Sequence, residues 1–469
     1  MINRRAEMMN ENPITTLDII DKKRAKYLII LSALIIISAL NIGWNYYDLM
    51  WWISWYKIVE SNGISSIFSI YRLCQLPTCK APYLPLAILI FLPSYAITTL
   101  LPVPFRFIVL KIILVLIPAL IIYNILKKNR GSIVALLWLL SLPFIQILFV
   151  LQFDVIISLL VLLATYFFSN QKYHLSAITL ALSSLIKHVT VILLPIYLIT
   201  LLIDKKYRTV LKYFLVYMFV VLIIVLPFFI NDPISMIEDV ILFHGARAPQ
   251  DLSIWAILTV VLETNIVKSL GYIDNIWLIP FTIGYILLII YYTQIHRYRD
   301  SNKDYRHLYL CISLALLMFI TFNKIGNLNY LVWIVPSALM ALSGKNLISF
   351  YRLTAFIVLF GSIPYSLMLT FFPASIDAPT LLAEDLSYWN ARALLAQSLN
   401  YYIFYVSVMV DILSIYLSNI LTPLEFVDHF YSAALSIYKY KELIMIIIII
   451  NTQIMLTLLI IQLLKYLKD

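Results

Sequence analysis

Apolar stretches of about 18 to 22 residues recur along the whole chain, and each is long enough to cross a hydrocarbon core of ~30 Å as one helix. Hydrophobic residues make up 62% of the 469 residues and charged residues only 12%, which leaves too little polar surface for a soluble domain. The stretches do not alternate apolar and polar positions as the strands of a membrane barrel do. Because backbone in contact with lipid must satisfy its own hydrogen bonds, we predict an all-α polytopic membrane protein with about 11–13 transmembrane helices.

Basic residues predict how the chain is oriented. Lys and Arg collect in the cytoplasmic loops of membrane proteins, so the net charge of +10 indicates membrane lipids rather than nucleic acid as partners. A basic cluster before the first apolar stretch, 27–44, predicts that residues 1–26 are cytoplasmic. Residues 45–81 then form a long external loop of amphipathic helices lying along the membrane surface. Its predicted interfacial anchors are Trp44, Trp51, Trp52, Trp55 and Tyr56.

The topology stays open at one place. The apolar stretches 82–101 and 105–126 are followed by a basic cluster at 127–130, which marks the cytoplasmic side. Two full crossings from outside would leave this cluster outside, so either one stretch does not cross fully or the charge rule fails here. Residues 175–203 contain two apolar halves joined at Lys187-His188, which predicts two short helices meeting near the outer face.

These markers suggest a division of the chain into a cytoplasmic segment 1–26, a catalytic module 27–345 and C-terminal transmembrane helices 346–469 of unknown role. Cys74 and Cys79 share the first external loop and form either a local disulfide or two unpaired thiols. Cys311 lies in an apolar stretch and is expected to pack in the interior.

Polar and charged side chains gather at the predicted external tips and loops. Ionisable groups at membrane depth are costly and indicate function. The set consists of Asp48, Gln152, Asp154, Lys187, His188, His244, Arg247 and Lys324. Cations on one side of the membrane suit an anionic lipid headgroup whose reactive end projects outward.

Several motifs occur in a fixed order along this set. They are Tyr46-Tyr47-Asp48 after the first stretch, Pro82-Tyr83-Leu84-Pro85-Leu86, Gln152-Phe153-Asp154, Lys187 ahead of Pro195, the loop at Arg247, and Asn323-Lys324 leading to Trp333-Ile334-Val335-Pro336. In this order they resemble the glycosyltransferase C superfamily, especially the transferases that use dolichyl- or other polyprenyl-phosphate mannose or glucose. The chain departs from that pattern at Leu84, where the family has Pro, and at Asn323, where it often has His.

The resemblance implies an inverting transfer of a hexose from a polyprenyl-phosphate donor to a lipid-linked or surface glycan acceptor, without a cofactor. Asp48 would act as general base on the acceptor hydroxyl. The donor phosphate would be bound by Lys187, Arg247, Lys324 and His244. The sugar or acceptor would be bound by Gln152, Asp154 and His188, unless Asp154 and Gln152 orient Lys187 instead. The first external loop contains no Asp-x-Asp and the chain contains no His-x-x-x-His, so the sequence indicates no metal site. The nucleotide-binding glycine motifs are absent as well.

Each feature also has a plainer interpretation. Asp48 could be a solvated acid, Arg247 a loop cation, and Lys324 a residue whose ammonium snorkels to the interface. Asp154 and Lys187 could pair only to fix helix packing. For the whole chain, the alternatives are a secondary transporter or glycolipid flippase with coupling charges at Asp154, Lys187 and Asp411, or a non-catalytic scaffold.

The cellular setting is predicted from orientation and composition. We expect a multi-pass protein of a cell membrane with its active site facing outward. The richness in Ile, Tyr and Lys is typical of a prokaryote and points to an archaeon.

Overall fold

The computed structural model describes residues 22–41, 46–74, 79–247, 249–261, 273–298, 305–365 and 440–468. The α-helices are α1 Lys22–Asn41, α2 Tyr46–Asn62, α3 Ile70–Leu73, α4 Pro85–Thr99, α5 Val103–Lys111, α6 Ile117–Arg130, α7 Ser132–Leu139, α8 Leu142–Val150, α9 Asp154–Ser169, α10 Tyr173–Ile186, α11 Leu194–Ile203, α12 Tyr207–Asn231, α13 Pro233–Ile237, α14 Phe243–Ala246, α15 Ala256–Val261, α16 Ile273–Ile276, α17 Leu278–Tyr298, α18 Arg306–Phe322, α19 Val335–Ala341, α20 Gly344–Ile357 and α21 Lys441–Lys468. Single 3₁₀ segments lie at Ile64–Ser69, His188–Leu193 and Leu328–Trp333, and π-helical turns at Ile112–Leu116, Glu238–Leu242 and Val358–Ser362. Two short strands, β1 Gln250–Asp251 and β2 Ile325–Gly326, pair in parallel.

The helices confirm a polytopic all-α membrane protein. Five of the described helices are long and apolar enough to cross a membrane: Phe105–Arg130, Tyr207–Asn231, Leu278–Arg297, Gly344–Tyr365 and Glu442–Lys468. The pair α7 and α8 meets the same test together, with a bend of 44° between its members. Shorter apolar helices of 10–17 residues fill the space between them.

Helix α4 bears on the open point of topology. It has 15 residues, so it rises ~22 Å, which is short of the ~30 Å hydrocarbon core. It begins where Leu84 is extended and Pro85 occupies the first turn, a position that suits Pro because its missing N–H has no helical partner there. The next apolar segment, Phe105–Arg130, runs unbroken to the basic cluster. This favours the alternative in which 82–101 does not cross fully.

The predicted break inside 175–203 is present. Helix α10 ends at Ile186, and Lys187 adopts an extended conformation with φ −137° and ψ 113°. The 3₁₀ segment that begins at His188 then leads into α11, with Pro195 in its first turn. Lys187 is therefore held at a helix end, where its side chain is not confined to a helix face.

The described part of the first external loop is helical as predicted, but three of its aromatic residues do not anchor it at the interface. Trp52 and Trp55 are fully buried in the protein, and Trp51 is only 5% exposed. The Trp52 ring lies 4.4 Å from that of Phe153 and 5.5 Å from that of Phe91. The anchoring prediction is wrong for these three residues because other parts of the protein cover them, and Trp44 lies outside the described residues.

The loop is closed by a disulfide between Cys74 and Cys79, whose Cα atoms are 4.9 Å apart. Directly after it, the ammonium of Lys80 pairs with Asp239 at 2.6 Å, and the Ala81 N–H donates to the same carboxylate at 3.3 Å. The end of the loop is therefore joined to the chain leading into α14.

Helix α18 is the central helix of the described fold. Residues 307–321 are buried on every side, among them Cys311, as expected. The helix packs against α17, α19 and α21. Since α18 cannot shift without disturbing its neighbours, the polar tip after Phe322 has a fixed position.

Candidate active site

Asp48 lies in the first turn of α2, and the tip between α8 and α9 contacts the same helix face. The Gln152 side-chain amide donates a hydrogen bond to Asp48 Oδ2. Phe153 packs on Trp52, one helical turn beyond Asp48. Leu151 has a positive φ of 57°. Residues other than glycine rarely adopt this backbone conformation, so surrounding contacts must hold it. The tip and α2 thus form one rigid unit around the carboxylate.

The charges around Asp48 come from three other segments. Burial raises the pKa of Asp48, while the Gln152 hydrogen bond and the positive charges of Lys187 and Arg247 lower it. The negative charge of Asp154 raises it, and the net result is a pKa above the usual value. Two of the predicted cations therefore lie close enough to act on the predicted base.

Asp154 and Lys187, whose charges both act on Asp48, form an ion pair of 3.0 Å. The indole Nε1 of Trp333 donates to the same oxygen, Asp154 Oδ1, at 2.7 Å. The Lys187 ammonium lies 4.1 Å from the ring centre of Tyr330. The second oxygen, Asp154 Oδ2, is buried and accepts no hydrogen bond from the described residues. The pair fixes helix packing, as one alternative expects, and still leaves an acceptor for a ligand hydroxyl.

Lys324 and Arg247 come from two segments that meet. The Lys324 ammonium donates to the Gly245 carbonyl at 2.6 Å, and the residue is buried, so its ammonium does not snorkel to the surface. The Arg247 guanidinium lies 5.6 Å from the ring centre of Phe243. Its buried Nε has no hydrogen-bond partner in the part of the chain that the structure describes. A planar guanidinium with an open donor suits a phosphate.

The two predicted histidines face one another, with ring centres 5.1 Å apart. His244 Nε2 lies 2.8 Å from the Pro82 carbonyl, which can only accept, so this nitrogen carries the proton. Burial lowers the pKa of His244 to about 3, and the ring is uncharged at neutral pH. A hydrogen bond from His244 to phosphate stays a prediction and would have to involve the other ring nitrogen.

Sequence reasoning did not assign roles to Trp333 and Tyr330, although both belong to the recognised motif that ends at Pro336. Gln152 is predicted from sequence to hold a sugar hydroxyl or to orient Lys187; in the structure its amide donates to Asp48, and the contact with sugar stays a prediction. Asn323, at the position where the resembled family often has His, uses its side-chain oxygen to accept from the Ile325 N–H at 3.2 Å. Within the described ranges, no three His, Cys, Asp or Glu side chains are arranged to hold a metal.

The chain matches a known protein family. The model of glycosyltransferase family 87 matches residues 79–321, just over half of the chain. The matched range contains Gln152, Asp154, Lys187 and Arg247, while Asp48 lies before it. No curated protein matches the chain.

Proposed function

Because the chain belongs to glycosyltransferase family 87, we propose that this membrane glycosyltransferase moves mannose or glucose from a polyprenyl phosphate to a lipid-linked or surface glycan. One observation supports this most: the Asp48 carboxylate is held by Gln152 and feels the charges of Lys187 and Arg247. Transfer from a phosphate needs a base for the acceptor and fixed positive charge for the leaving group. The arrangement provides both within one cluster.

The proposed reaction is a single displacement. Asp48 takes the proton of the acceptor hydroxyl as its oxygen attacks the anomeric carbon on the face opposite the phosphate. The bond between that carbon and the phosphate oxygen breaks, and the polyprenyl phosphate leaves with the electron pair. Arg247, Lys187 and Lys324 would stabilise the negative charge that develops on the phosphate. Because attack and departure take place in one step on opposite faces of the anomeric carbon, the anomeric configuration inverts without a covalent intermediate.

Asp154 and His188 are proposed to bind the sugar. Asp154 Oδ2 is a buried acceptor without a hydrogen bond from the described residues, and leaving such an atom unsatisfied is costly. A sugar hydroxyl would satisfy it. His188, beside the uncharged His244, is suited to a hydrogen bond with a neutral hydroxyl rather than to charge neutralisation.

The proposal also includes an active site that faces outward, and it takes the enzyme over the alternative functions. The Cys74–Cys79 disulfide supports a site facing outward, because disulfides persist mainly outside the cytoplasm. Family membership favours the enzyme over the transporter, flippase and scaffold alternatives. The transporter and flippase alternatives need coupling charges at Asp154, Lys187 and Asp411, and Asp411 lies outside the described residues.

A transfer assay tests the proposal. Purified protein is given radiolabelled polyprenyl-phosphate mannose or glucose together with extracted membrane glycolipids as acceptors. Asp48→Asn should lose about 100-fold or more in turnover, because it removes the base. Glu60→Gln, which changes an exposed acid on the same helix, should keep wild-type turnover. Full turnover by Asp48→Asn would exclude Asp48 as base, and no transfer of either hexose would overturn the proposed donor.

A further inference from the structure

The two cation-bearing segments of the site are joined into one unit. The Gln250 N–H donates to the Lys324 carbonyl at 2.9 Å and the Leu252 N–H to the Gly326 carbonyl at 3.3 Å. A Cβ atom at Gly326 would overlap the backbone of Leu252 and Ser253, so the approach requires glycine. We call this paired unit, residues 249–253 with 323–326, the strand clasp.

Side-chain bonds extend the strand clasp in both directions. Ser253 Oγ donates to the Asn323 carbonyl at 2.7 Å, and Trp255 Nε1 donates to the Phe322 carbonyl at 2.8 Å. Lys324 lies on one arm of the clasp, and its ammonium donates to the carbonyl of Gly245, two residues before Arg247. This hydrogen bond connects the segment that carries Arg247 to the clasp.

The strand clasp contains a turn that needs support. Asp251 has a positive φ of 58°, which a residue with a side chain adopts at a cost. The Tyr365 hydroxyl donates to Asp251 Oδ1 at 2.7 Å. The Gln453 amide donates to the Leu252 carbonyl at 2.8 Å, and both residues are buried. Both donors come from the C-terminal helices, to which sequence reasoning assigned no role.

The position of Gln453 relative to the strand clasp is fixed by the packing of its helix. Its neighbour Thr452 faces Gly361, where a Cβ atom would lie 2.5 Å from Thr452 Oγ1. The two C-terminal helices therefore approach closely at the level of the clasp. Helix α21 also packs along the buried α18, which leads to Lys324. The donor atoms of Tyr365 and Gln453 are thus presented from a rigid support.

We propose that Gln453 and Tyr365 are positioning residues that hold the strand clasp so that Arg247 and Lys324 meet the donor phosphate. Neither residue touches the phosphate; each acts through the backbone turn at Asp251 and Leu252. This inference rests on the proposed function, since it takes Arg247 to bind phosphate. It gives residues beyond the matched range 79–321 a part in donor binding.

Binding of polyprenyl monophosphate to the purified full chain tests the inference without requiring turnover. Gln453→Met keeps side-chain size but removes the donor, and it should weaken affinity about tenfold, since a buried carbonyl is left unsatisfied. Gln462→Met changes an amide elsewhere on the same helix, which contacts Tyr466, and should bind as wild type does. Tyr365→Phe, a gentler change, should weaken affinity in the same direction.

A double variant separates positioning from general destabilisation. Arg247→Ala should weaken affinity at least tenfold. Adding Gln453→Met should then weaken it by clearly less than the tenfold expected of Gln453→Met alone, because part of that effect acts through Arg247 and only the part that acts through Lys324 is left. Hydrogen exchange of 249–253 should rise in Gln453→Met while that of 307–321 stays unchanged.

The outcomes distinguish the two proposals. Unchanged affinity in both Gln453→Met and Tyr365→Phe, with Arg247→Ala impaired, overturns the positioning role and leaves the proposed function standing. Faster exchange in the clasp with unchanged affinity overturns it too. Unchanged affinity in Arg247→Ala removes Arg247 from phosphate binding and overturns this inference, whereas the proposed donor is tested separately by the transfer assay.

Discussion

The amide of Gln152 donates a hydrogen bond to the carboxylate of Asp48, although the two residues belong to separate motifs. The contact orients one oxygen of the Asp48 carboxylate, and the orientation of the other oxygen depends on the remaining residues of the site. Gln152 is therefore a direct partner of the proposed base in the structure described. Reactions of this kind lose rate steeply when the base is misaligned, so the contact has measurable consequences.

Removing the Gln152 amide should lower turnover and shift its pH dependence. The hydrogen bond lowers the pKa of Asp48, so Gln152→Met should raise that pKa and reduce turnover by about tenfold at neutral pH. Gln152→Glu should raise it further, because a second carboxylate opposes ionisation. Turnover against pH measures both effects, and an unmoved acidic limb in Gln152→Met would contradict the assignment.

The wild-type enzyme should lose activity on acidification at a pH above the ordinary range of Asp side chains, which centres near ~3.9. The active form of the base is the carboxylate, and burial raises the pKa of Asp48. Activity is therefore present above that raised pKa and lost as the pH falls through it. A profile of kcat from neutral to acidic pH measures the limb; constant activity down to the ordinary Asp range would exclude the raised pKa.

The ion pair between Asp154 and Lys187 allows structure and function to be separated. Lys187→Met leaves the buried Asp154 without its cation and should destabilise the fold by about 3–5 kcal/mol. The double variant Asp154→Asn with Lys187→Met should regain most of the stability, measured as Tm in detergent. We expect it to stay inactive in the transfer assay, because phosphate and sugar contacts are gone. An active double variant would reduce the pair to a packing role.

Two glycines offer a matched test of the strand clasp. Gly326→Ala places a Cβ atom against the backbone of Leu252 and Ser253 and should destabilise the protein by about 3 kcal/mol or more. Gly245→Ala, where nothing lies within 4 Å of the added atom, should change Tm little. Equal Tm values for the two variants would show that the close approach at Gly326 does not constrain the fold.

Some features of this fold follow from local sequence. Lys187-His188 interrupts an apolar stretch with basic residues at both ends, and the helix breaks there. Pro85 is in the first turn of α4, as the motif predicts. Such features can be predicted from the sequence because charged residues and prolines affect a helix within a few residues of their own position. The polar tips that carry Asp154 and Lys324 are placed by the same local rules.

Contacts between distant segments are not readable in this way. On a soluble helix, polar residues reveal the exposed face, whereas here lipid-facing and interior positions are both apolar. Trp52 and Trp55 therefore look like interface anchors in sequence but are buried. Gln453, a single amide in an apolar stretch, carries no motif that would connect it to Leu252.

The cysteines determine how the protein should be handled. Cys311 is buried in α18 and needs no thiol reagent to keep it from oxidising. The Cys74–Cys79 bond is buried as well, so the dithiothreitol or mercaptoethanol customary in purification buffers reaches it only in molecules whose surrounding contacts have opened. Molecules in which the bond is reduced differ in the covalent structure of the segment that leads to Lys80, so assays on the reduced and the oxidised protein should be treated as assays on different molecules.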